Sequence, residues 1–328
     1  MNGKGYYWPS LLLGIVSISL KLNNCEAFSA TSNVKKVTVV GGSGFVGSRV
    51  CKILTDKYGV DVTSVSKSGK APDWCKGEDW ASLVEWKAAD LLSASEDALD
   101  ASIGKPDAIV SCVGVVGTDP EVLKKGNGQA NVAAFASAHR GGNVERASLV
   151  SVASEVAACQ ESWLPEFFGG YFEGKEQAEK AALAAVKGDA SRLTIVKPTF
   201  IYGGDSFGLL PPRVNYAYGS AVEEVLSWDV CKFLANVTPG LIKVALRPPV
   251  SVDAVAGACA AAIMEDITEN VLDGTEPIKA VTNDPPATGF SEAVEWAKEN
   301  SIKAYDWAKV EVPKAIDTIK TKLDEVQK

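Results

Sequence analysis

Histidine is almost absent from this 328-residue chain, which carries a single copy, His139. One imidazole excludes multi-histidine metal centres and argues against a Ser-His-Asp triad. Closely paired cysteines are missing too. The seven cysteines include no C-x-x-C spacing, so zinc ribbons and thioredoxin-type redox motifs have no basis. Their odd number, and the apolar or small-residue runs around most of them, point to reduced and buried thiols. Positive charge is in deficit: 33 Lys and Arg stand against 41 Asp and Glu, a net charge of −8, with no long basic run. No nucleic acid partner is therefore expected. What is abundant is apolar. Hydrophobic residues make up 46% of the chain, ample for a core and incompatible with wholesale disorder. The length suits one large α/β unit with extensions as well as it suits two domains.

Residues 1–34 read as a targeting segment. Lys4 precedes an apolar run from Trp8 to Leu20, too short to span a bilayer comfortably and right for a signal-peptide core. Cys25-Glu26-Ala27 places a cleavage site near residue 27. The stretch 28–34 opens with Phe28 and is hydroxyl-rich and free of acids. A signal peptide followed by a Phe-led segment resembles the bipartite presequence of secondary plastids, which implies a plastid reached through the endoplasmic reticulum. The secretory pathway, the mitochondrion and a single membrane anchor are the alternatives. Thiols that stay reduced fit an organelle stroma better than the cell exterior.

From residue 35 the chain alternates between two periodicities. Lys36–Val40 is a β-branched run, and Val46, Val50, Ile53 and Leu54 fall at helical spacing over 45–57. Further strands are predicted at 60–65, 83–86, 108–113, 147–150 and 193–197, with helices at 126–140 and 170–186. This alternation predicts right-handed βαβ units in an α/β fold, a Rossmann-type doubly wound parallel sheet covered on both faces. Residues 199–250 are rich in Gly, Pro and aromatics, break the periodicity, and read as a small C-terminal substrate lobe within a 35–283 domain. Ser251 is placed to cap a helix running to Met264. The stretch 284–328 reads as a charged helical tail with Trp296 and Trp307, lying on the domain, on a partner complex or on a lipid surface.

The densest chemical signal is Val40-Gly41-Gly42-Ser43-Gly44-Phe45-Val46-Gly47, directly after a strand and opening a helix. Gly41 permits a tight turn, Gly44 lets the backbone approach a pyrophosphate, and Gly47 lets the helix pack close to the sheet. The helix N-terminus then offers free N–H groups and a partial positive charge to phosphates. An NAD site normally has Asp or Glu at the end of the second strand for the ribose 2′-hydroxyl. Here Ser66, Lys67 and Ser68 stand in that place, two hydroxyls and an ammonium suited to a 2′-phosphate. NADP(H) is thus expected over NAD(H). Asp90, after the third strand, is a candidate adenine contact. Cys112, Val113 and Gly114 end the fourth strand where the middle of the cofactor should lie.

A second constellation is Tyr171-Phe172-Glu173-Gly174-Lys175. Its spacing puts a phenol and an ammonium on one helical face. The cation is expected to favour the phenolate, so that Tyr171 works as acid or base nearer neutral pH while Lys175 holds the nicotinamide ribose.

In this order Gly41, Gly44, Gly47, Asp90, Asn127, Tyr171 and Lys175 resemble the extended and atypical short-chain dehydrogenase/reductase superfamily. Segments 109–114, 127–131, 197–203 and 248–256 resemble a narrower branch. It holds the Rossmann-fold accessory subunit of complex I, plastoglobule-type chloroplast proteins and a coenzyme Q biosynthesis protein. The likeness spans about 35–283 and leaves out the tail. It implies an NAD(P)-binding fold with Tyr171 and Lys175 in active-site positions, and with Asn131 and Pro198 among the cofactor contacts. One position departs from the pattern. Ala153 stands where these enzymes carry Ser or Thr to hold the substrate oxygen, and Ser151 and Ser154 are the nearest candidate replacements. Loss of such a donor costs roughly a hundredfold in rate.

Two functional expectations follow. The first is an oxidoreductase acting on a small hydrophobic carbonyl or quinone-related substrate, in a pocket lined by Tyr216, Tyr218, Trp228 and Phe233. The second is a non-catalytic assembly or regulatory subunit in which bound NADPH serves only to stabilise the fold.

Overall fold

The computed structural model describes residues 33–284, apart from 143, 161–167, 206–207 and 210–211. The targeting segment up to residue 32 and the tail from residue 285 lie outside the described residues.

Short β-branched and apolar runs form a seven-stranded sheet. Its strands are β1 (Lys36–Val40), β2 (Asp61–Ser66), β3 (Glu85–Ala88), β4 (Ala108–Ser111), β5 (Arg146–Val150), β6 (Leu193–Lys197) and an edge strand, Val271–Asp273. The spatial order is edge strand, β6, β5, β4, β1, β2, β3, and every ladder is parallel. The chain therefore reverses direction across the sheet between β1 and β4, which opens a crevice at the carboxyl ends of those strands. This is the expected Rossmann-type arrangement.

Alternate residues of each strand feed two separate cores. Val37 and Val39 of β1, with Ala108 and Val110 of β4, pack on the face covered by the helices Gly47–Asp56 and Val252–Met264. Val40 and Ile109 point to the other face, covered by the helices Ala130–Gly141 and Phe168–Ala185. The helix Val252–Met264 is almost entirely buried, and its alanines let it sit close to the strands. Ser251 caps it as expected, its hydroxyl accepting from the Ala254 N–H at 3.0 Å.

Three local expectations shift. The third strand starts at Glu85 rather than 83, because Asp79–Leu83 forms a helical turn that buries Trp80. The helix expected at 126–140 begins with a π-helical stretch, Lys125–Gln129, before the regular helix Ala130–Gly141. A Cβ on Gly126 would lie 2.4 Å from a Val115 methyl, so small residues let this stretch press against the loop after β4. The region 199–250 is also more regular than its composition suggests. It contains the helices Tyr216–Leu226, Asp229–Val237 and Gly240–Ala245, with Pro239 at the corner between the last two. Pro239, Pro248 and Pro249 sit outside the helices, where a missing N–H costs little, and Pro212 stands in the short strand Pro212–Arg213.

The six cysteines among the described residues are free. Among the described residues no helix is long and apolar enough to cross a membrane.

Candidate dinucleotide cleft and active site

The glycine turn is held by its own backbone. Gly41 has φ +79°, and its N–H donates to Val65 O at 2.7 Å. The Gly44 N–H returns to Gly41 O at 2.8 Å, and a Cβ on Gly47 would lie 2.3 Å from that same oxygen. A Cβ on Gly42 would meet the Ser64 hydroxyl at 2.2 Å. The helix Gly47–Asp56 starts at Val46 with no side-chain cap and no acidic residue in its first turn. Among the described residues no side chain caps that positive helix end and its first turn carries no acid, so the residues present fit a pyrophosphate. The Phe45 ring beside it lies between two guanidinium groups, Arg49 at 5.0 Å and Arg213 at 4.4 Å.

At the end of β2, Ser66 Oγ is 2.8 Å from Ser43 Oγ and accepts from the Gly69 N–H at 3.1 Å. Ser68 Oγ lies 3.4 Å from Ser66 Oγ. Lys67 and Asp90, expected at separate points of the cofactor, meet each other: their Nζ and Oδ2 are 3.3 Å apart, both exposed. The Leu92 N–H, and then Lys67, hold the Asp90 carboxyl below its usual range.

After β4, the Cys112 N–H donates to Val40 O at 2.9 Å, tying this loop to the glycine turn. Asn127 is fully buried. Its amide donates to Val115 O at 2.9 Å and Leu123 O at 2.8 Å, and its oxygen accepts from the Val115 N–H at 3.2 Å. Asn131 accepts from the Ser111 hydroxyl and donates to Asn127 O at 2.8 Å and Val113 O at 3.4 Å. Both asparagines shape the loop Cys112–Val115 from beneath it.

Lys175 closes the crevice from the β5 side. Its ammonium donates to Val150 O at 3.0 Å and Val113 O at 3.5 Å, and a Cβ on Gly114 would lie only 3.3 Å from it. Burial lowers its pKa to about 8. Tyr171 shares this helix face, with Lys175 Nζ 5.8 Å from its ring centroid. Here the expected tuning is corrected. The ammonium sits over the ring rather than at the hydroxyl, and burial pushes the phenol up to about 12. The phenolate is therefore not favoured near neutral pH.

The serines beyond β5 have protein partners. Ser151 Oγ donates to Glu179 Oε1 at 2.6 Å, and Glu179 also pairs with Lys197 at 3.0 Å. The Ser154 N–H donates to Asp273 Oδ1 at 3.1 Å, and the Ala153 N–H to Pro198 O at 3.1 Å. Glu179 and Lys197 escaped the sequence reading. A signal for Glu179 was present, since it follows Lys175 at i+4 and Tyr171 at i+8 on one helical face.

Two cavities flank this loop. One, of about 560 Å³, is lined by Val152, Ser154, Phe172, Lys175, Glu179 and Lys197. The other, of about 380 Å³, reaches under the lobe and is lined by Ala153, Glu155, Lys232, Asn236, Arg247 and Thr275 among others. In it Arg247 grips Glu155 with two bonds of 2.6 Å, and Lys243 adds a third at 2.9 Å. The aromatic lining expected from Tyr216, Tyr218, Trp228 and Phe233 is not found in these cavities, and all four rings are exposed. The helix Asp229–Val237 buries Ala235 and contributes Lys232 and Asn236 to the rim of the second cavity instead.

A parallel sheet in this order, with a glycine turn after β1 and a Tyr/Lys helix after β5, defines a dinucleotide-binding protein of the short-chain dehydrogenase/reductase type. The chain belongs to the NAD dependent epimerase/dehydratase family, whose sequence profile matches residues 37–265. That makes a nicotinamide dinucleotide the cofactor class and oxidoreductase-type chemistry the family's role. An uncharacterized chloroplastic protein of Arabidopsis thaliana is 30% identical over 236 residues, 71% of this chain and 72% of that protein. MIOREX complex component 2 of Saccharomyces cerevisiae is 41% identical over 61 residues, 18% of this chain and 22% of that one. Among solved structures, the UDP-Glc/GlcNAc 4-epimerase of Campylobacter jejuni aligns over 76% of this chain and 82% of its own. Its TM-score is 0.51 at 16% identity, a likeness of fold alone.

Proposed function

We propose that this protein is an NADP(H)-dependent oxidoreductase that reduces an uncharged, largely apolar carbonyl compound, quinone-related compounds included. The observation that carries the reading is the convergence of Tyr171, Lys175 and Gly114 beside the crevice at the carboxyl ends of β1 and β4. The Gly41–Gly47 turn and the helix end behind it hold the pyrophosphate. Ser66, Lys67 and Ser68 receive the 2′-phosphate, with no carboxylate at the end of β2 itself and the Asp90 carboxylate held on Lys67 beside it. Lys175 clamps the nicotinamide ribose. When bound, the reduced nicotinamide would supply the hydride that a carbonyl carbon takes up. Tyr171, protonated well above neutral pH, gives its proton to the carbonyl oxygen.

The cavity under the lobe supports an uncharged substrate. Glu155 is matched by Arg247 and Lys243, and Lys232 by Glu276, so these charges satisfy one another. A presequence-like N-terminus and a chloroplastic relative support the plastid as the compartment. A second reading, an NADPH-binding subunit without turnover, is favoured by Ala153 and by the engagement of Ser151 with Glu179. A relative named as a complex component points the same way.

Fluorescence titration of the full chain with NADPH and NADH comes first, followed by turnover on apolar carbonyls. NADPH should bind at least tenfold more tightly than NADH. Tyr171→Phe should keep that affinity and lose about 10²–10⁴ in turnover. Tight NADPH binding with no turnover sensitive to Tyr171 establishes the second reading, and no binding at all removes both.

A further inference from the structure

A buried ammonium needs acceptors for its protons and a negative charge to offset its own. Lys175, 5% exposed, has the first in two backbone carbonyls, Val150 O and Val113 O, but neither carries a charge. Three glutamates of the same helix line the larger cavity together with Lys175. Glu173 and Glu176 are exposed and paired outward, with Lys124 and Lys180. Glu179 is half-buried and one helical turn from Lys175. The other elements around Lys175 bring no charge that could replace it. Cys112 faces Lys175 from the loop after β4, but the Cys259 thiol and burial hold it well above the ordinary thiol range, so it is neutral where Lys175 titrates. Burial does the same for the Tyr171 phenol. The helix Ala130–Gly141 contains no acid, and its His139 and Arg140 stand in its last turn. Strand β6 contributes only a cation, Lys197.

We infer that Glu179 is a positioning residue for Lys175: locked by Lys197, it holds Ser151 and with it the Val150 carbonyl that aims the ammonium into the crevice, and it supplies the negative charge behind that ammonium. The contacts form one chain. Both Glu179 oxygens meet Lys197 Nζ, at 3.0 and 3.1 Å, and Oε1 accepts the Ser151 hydroxyl at 2.6 Å. The peptide unit between Val150 and Ser151 is fixed from two sides. Its N–H donates to Val196 O at 2.8 Å, and its oxygen takes the Lys175 ammonium at 3.0 Å. Holding Ser151 therefore holds the acceptor on which Lys175 rests. Burial lowers the Lys175 pKa to about 8, and the Glu179 charge opposes that fall. Ser151, its hydroxyl given to a carboxylate, serves the lysine rather than a substrate oxygen. The catalytic part of this inference rests on the proposed role of Lys175 as the clamp on the nicotinamide ribose.

Competitive labelling with acetic anhydride as a function of pH, read by peptide mass spectrometry, follows the charge of Lys175 in the full chain without cofactor. The parent should titrate at about 8. Glu179→Gln keeps an acceptor for Ser151 and removes the charge, so the midpoint should fall by about one unit. Lys197→Met leaves the Glu179 charge unopposed, so the midpoint should rise. Mere loosening of the helix would expose Lys175 and carry it up toward the ordinary lysine range in both variants, which makes the fall in Glu179→Gln diagnostic. Glu179→Asp should return the midpoint part of the way to the parent value. The pH at which NADPH affinity declines should move with the midpoint in each variant. An unchanged or raised midpoint in Glu179→Gln overturns the inference. If that variant does not fold, Lys197→Met decides: a raised midpoint at unchanged thermal stability supports the inference, and any other result overturns it. The stated shifts in a chain that binds no NADPH would keep the coupling of Glu179 to Lys175 and remove the ribose clamp instead.

Discussion

The two rims of the crevice are built by different physics. The cofactor rim, from β1 to β4, is a matter of backbone. Gly41, Gly44 and Gly47 fold on one another within 3 Å, and the Ser48 hydroxyl and Arg49 guanidinium add bonds to Gly44 O and Phe45 O. The rim under the lobe is a matter of side-chain charge. The lobe is fastened to the loop after β5 by Glu155, Arg247 and Lys243, and to the helix Thr275–Thr282 that follows the edge strand by Lys232 and Glu276. A backbone constraint tolerates almost no substitution but ignores pH and salt. An ion-paired latch does the reverse. The chain thus keeps a fixed socket for the cofactor and an adjustable one for whatever enters under the lobe.

The sharpest way to break this contrast is Gly47→Val. The new side chain cannot avoid Gly41 O, so NADPH affinity should fall by more than a hundredfold in a calorimetric titration, at every salt concentration. Lys175 is next. Its folded-state pKa of about 8 lies below the ordinary lysine value, so the ammonium discharges as pH rises through 8. NADPH affinity should drop by roughly tenfold between pH 7 and 9. Stability should move the other way, because between about 8 and 10.4 the native state holds fewer protons than the unfolded one. Lys175→Met should flatten both curves, read by titration and by thermal melts. Arg247→Ala should leave cofactor affinity within twofold and raise KM by about tenfold, with a strong salt dependence in the parent that the variant lacks. The latch also has an acid limit. Arg247 first, with Lys243, holds the Glu155 carboxyl below its usual range, so this stabilisation is complete above ordinary glutamate pH and lost as pH falls further. The smallest effect belongs to Lys67→Ala, since that lysine is exposed and shared with Asp90. The ratio of NADPH to NADH affinity should shrink by no more than tenfold.

The same division explains what the sequence made legible. Strand β1, the glycine turn and the Tyr171–Lys175 face depend on neighbours within a few residues, and spacing alone exposes them. Glu179 was harder, because its meaning comes from Ser151 and Lys197, which reach it from β5 and β6 across the sheet. The tuning of Tyr171 was misread for a related reason. The spacing puts a cation on the same face but does not say that its Nζ ends on Val150 O instead of the phenol. In the lobe, Pro211, Pro212, Pro239, Pro248 and Pro249 set the reading, although the proline-free stretch 213–238 between them carries the helices Tyr216–Leu226 and Asp229–Val237. Even a correct helical pattern over 229–237 would have named two faces without saying which one meets solvent.

The all-parallel sheet has one more consequence, in time rather than in space. Strand β1 lies at the centre, yet its partners β2 and β4 are about 25 and 71 residues away in register, Lys36 against Asp61 and Val37 against Ala108. The sheet closes only when Val271–Asp273 pairs with β6, bringing the fully buried Leu272 beside Val196. Pairings this distant form slowly, since each must first overcome the entropy of a long closed loop. A ribosome will have made more than four-fifths of the chain before the last strand can dock. Until then the Val- and Ile-rich strands have an open edge that other chains can pair with.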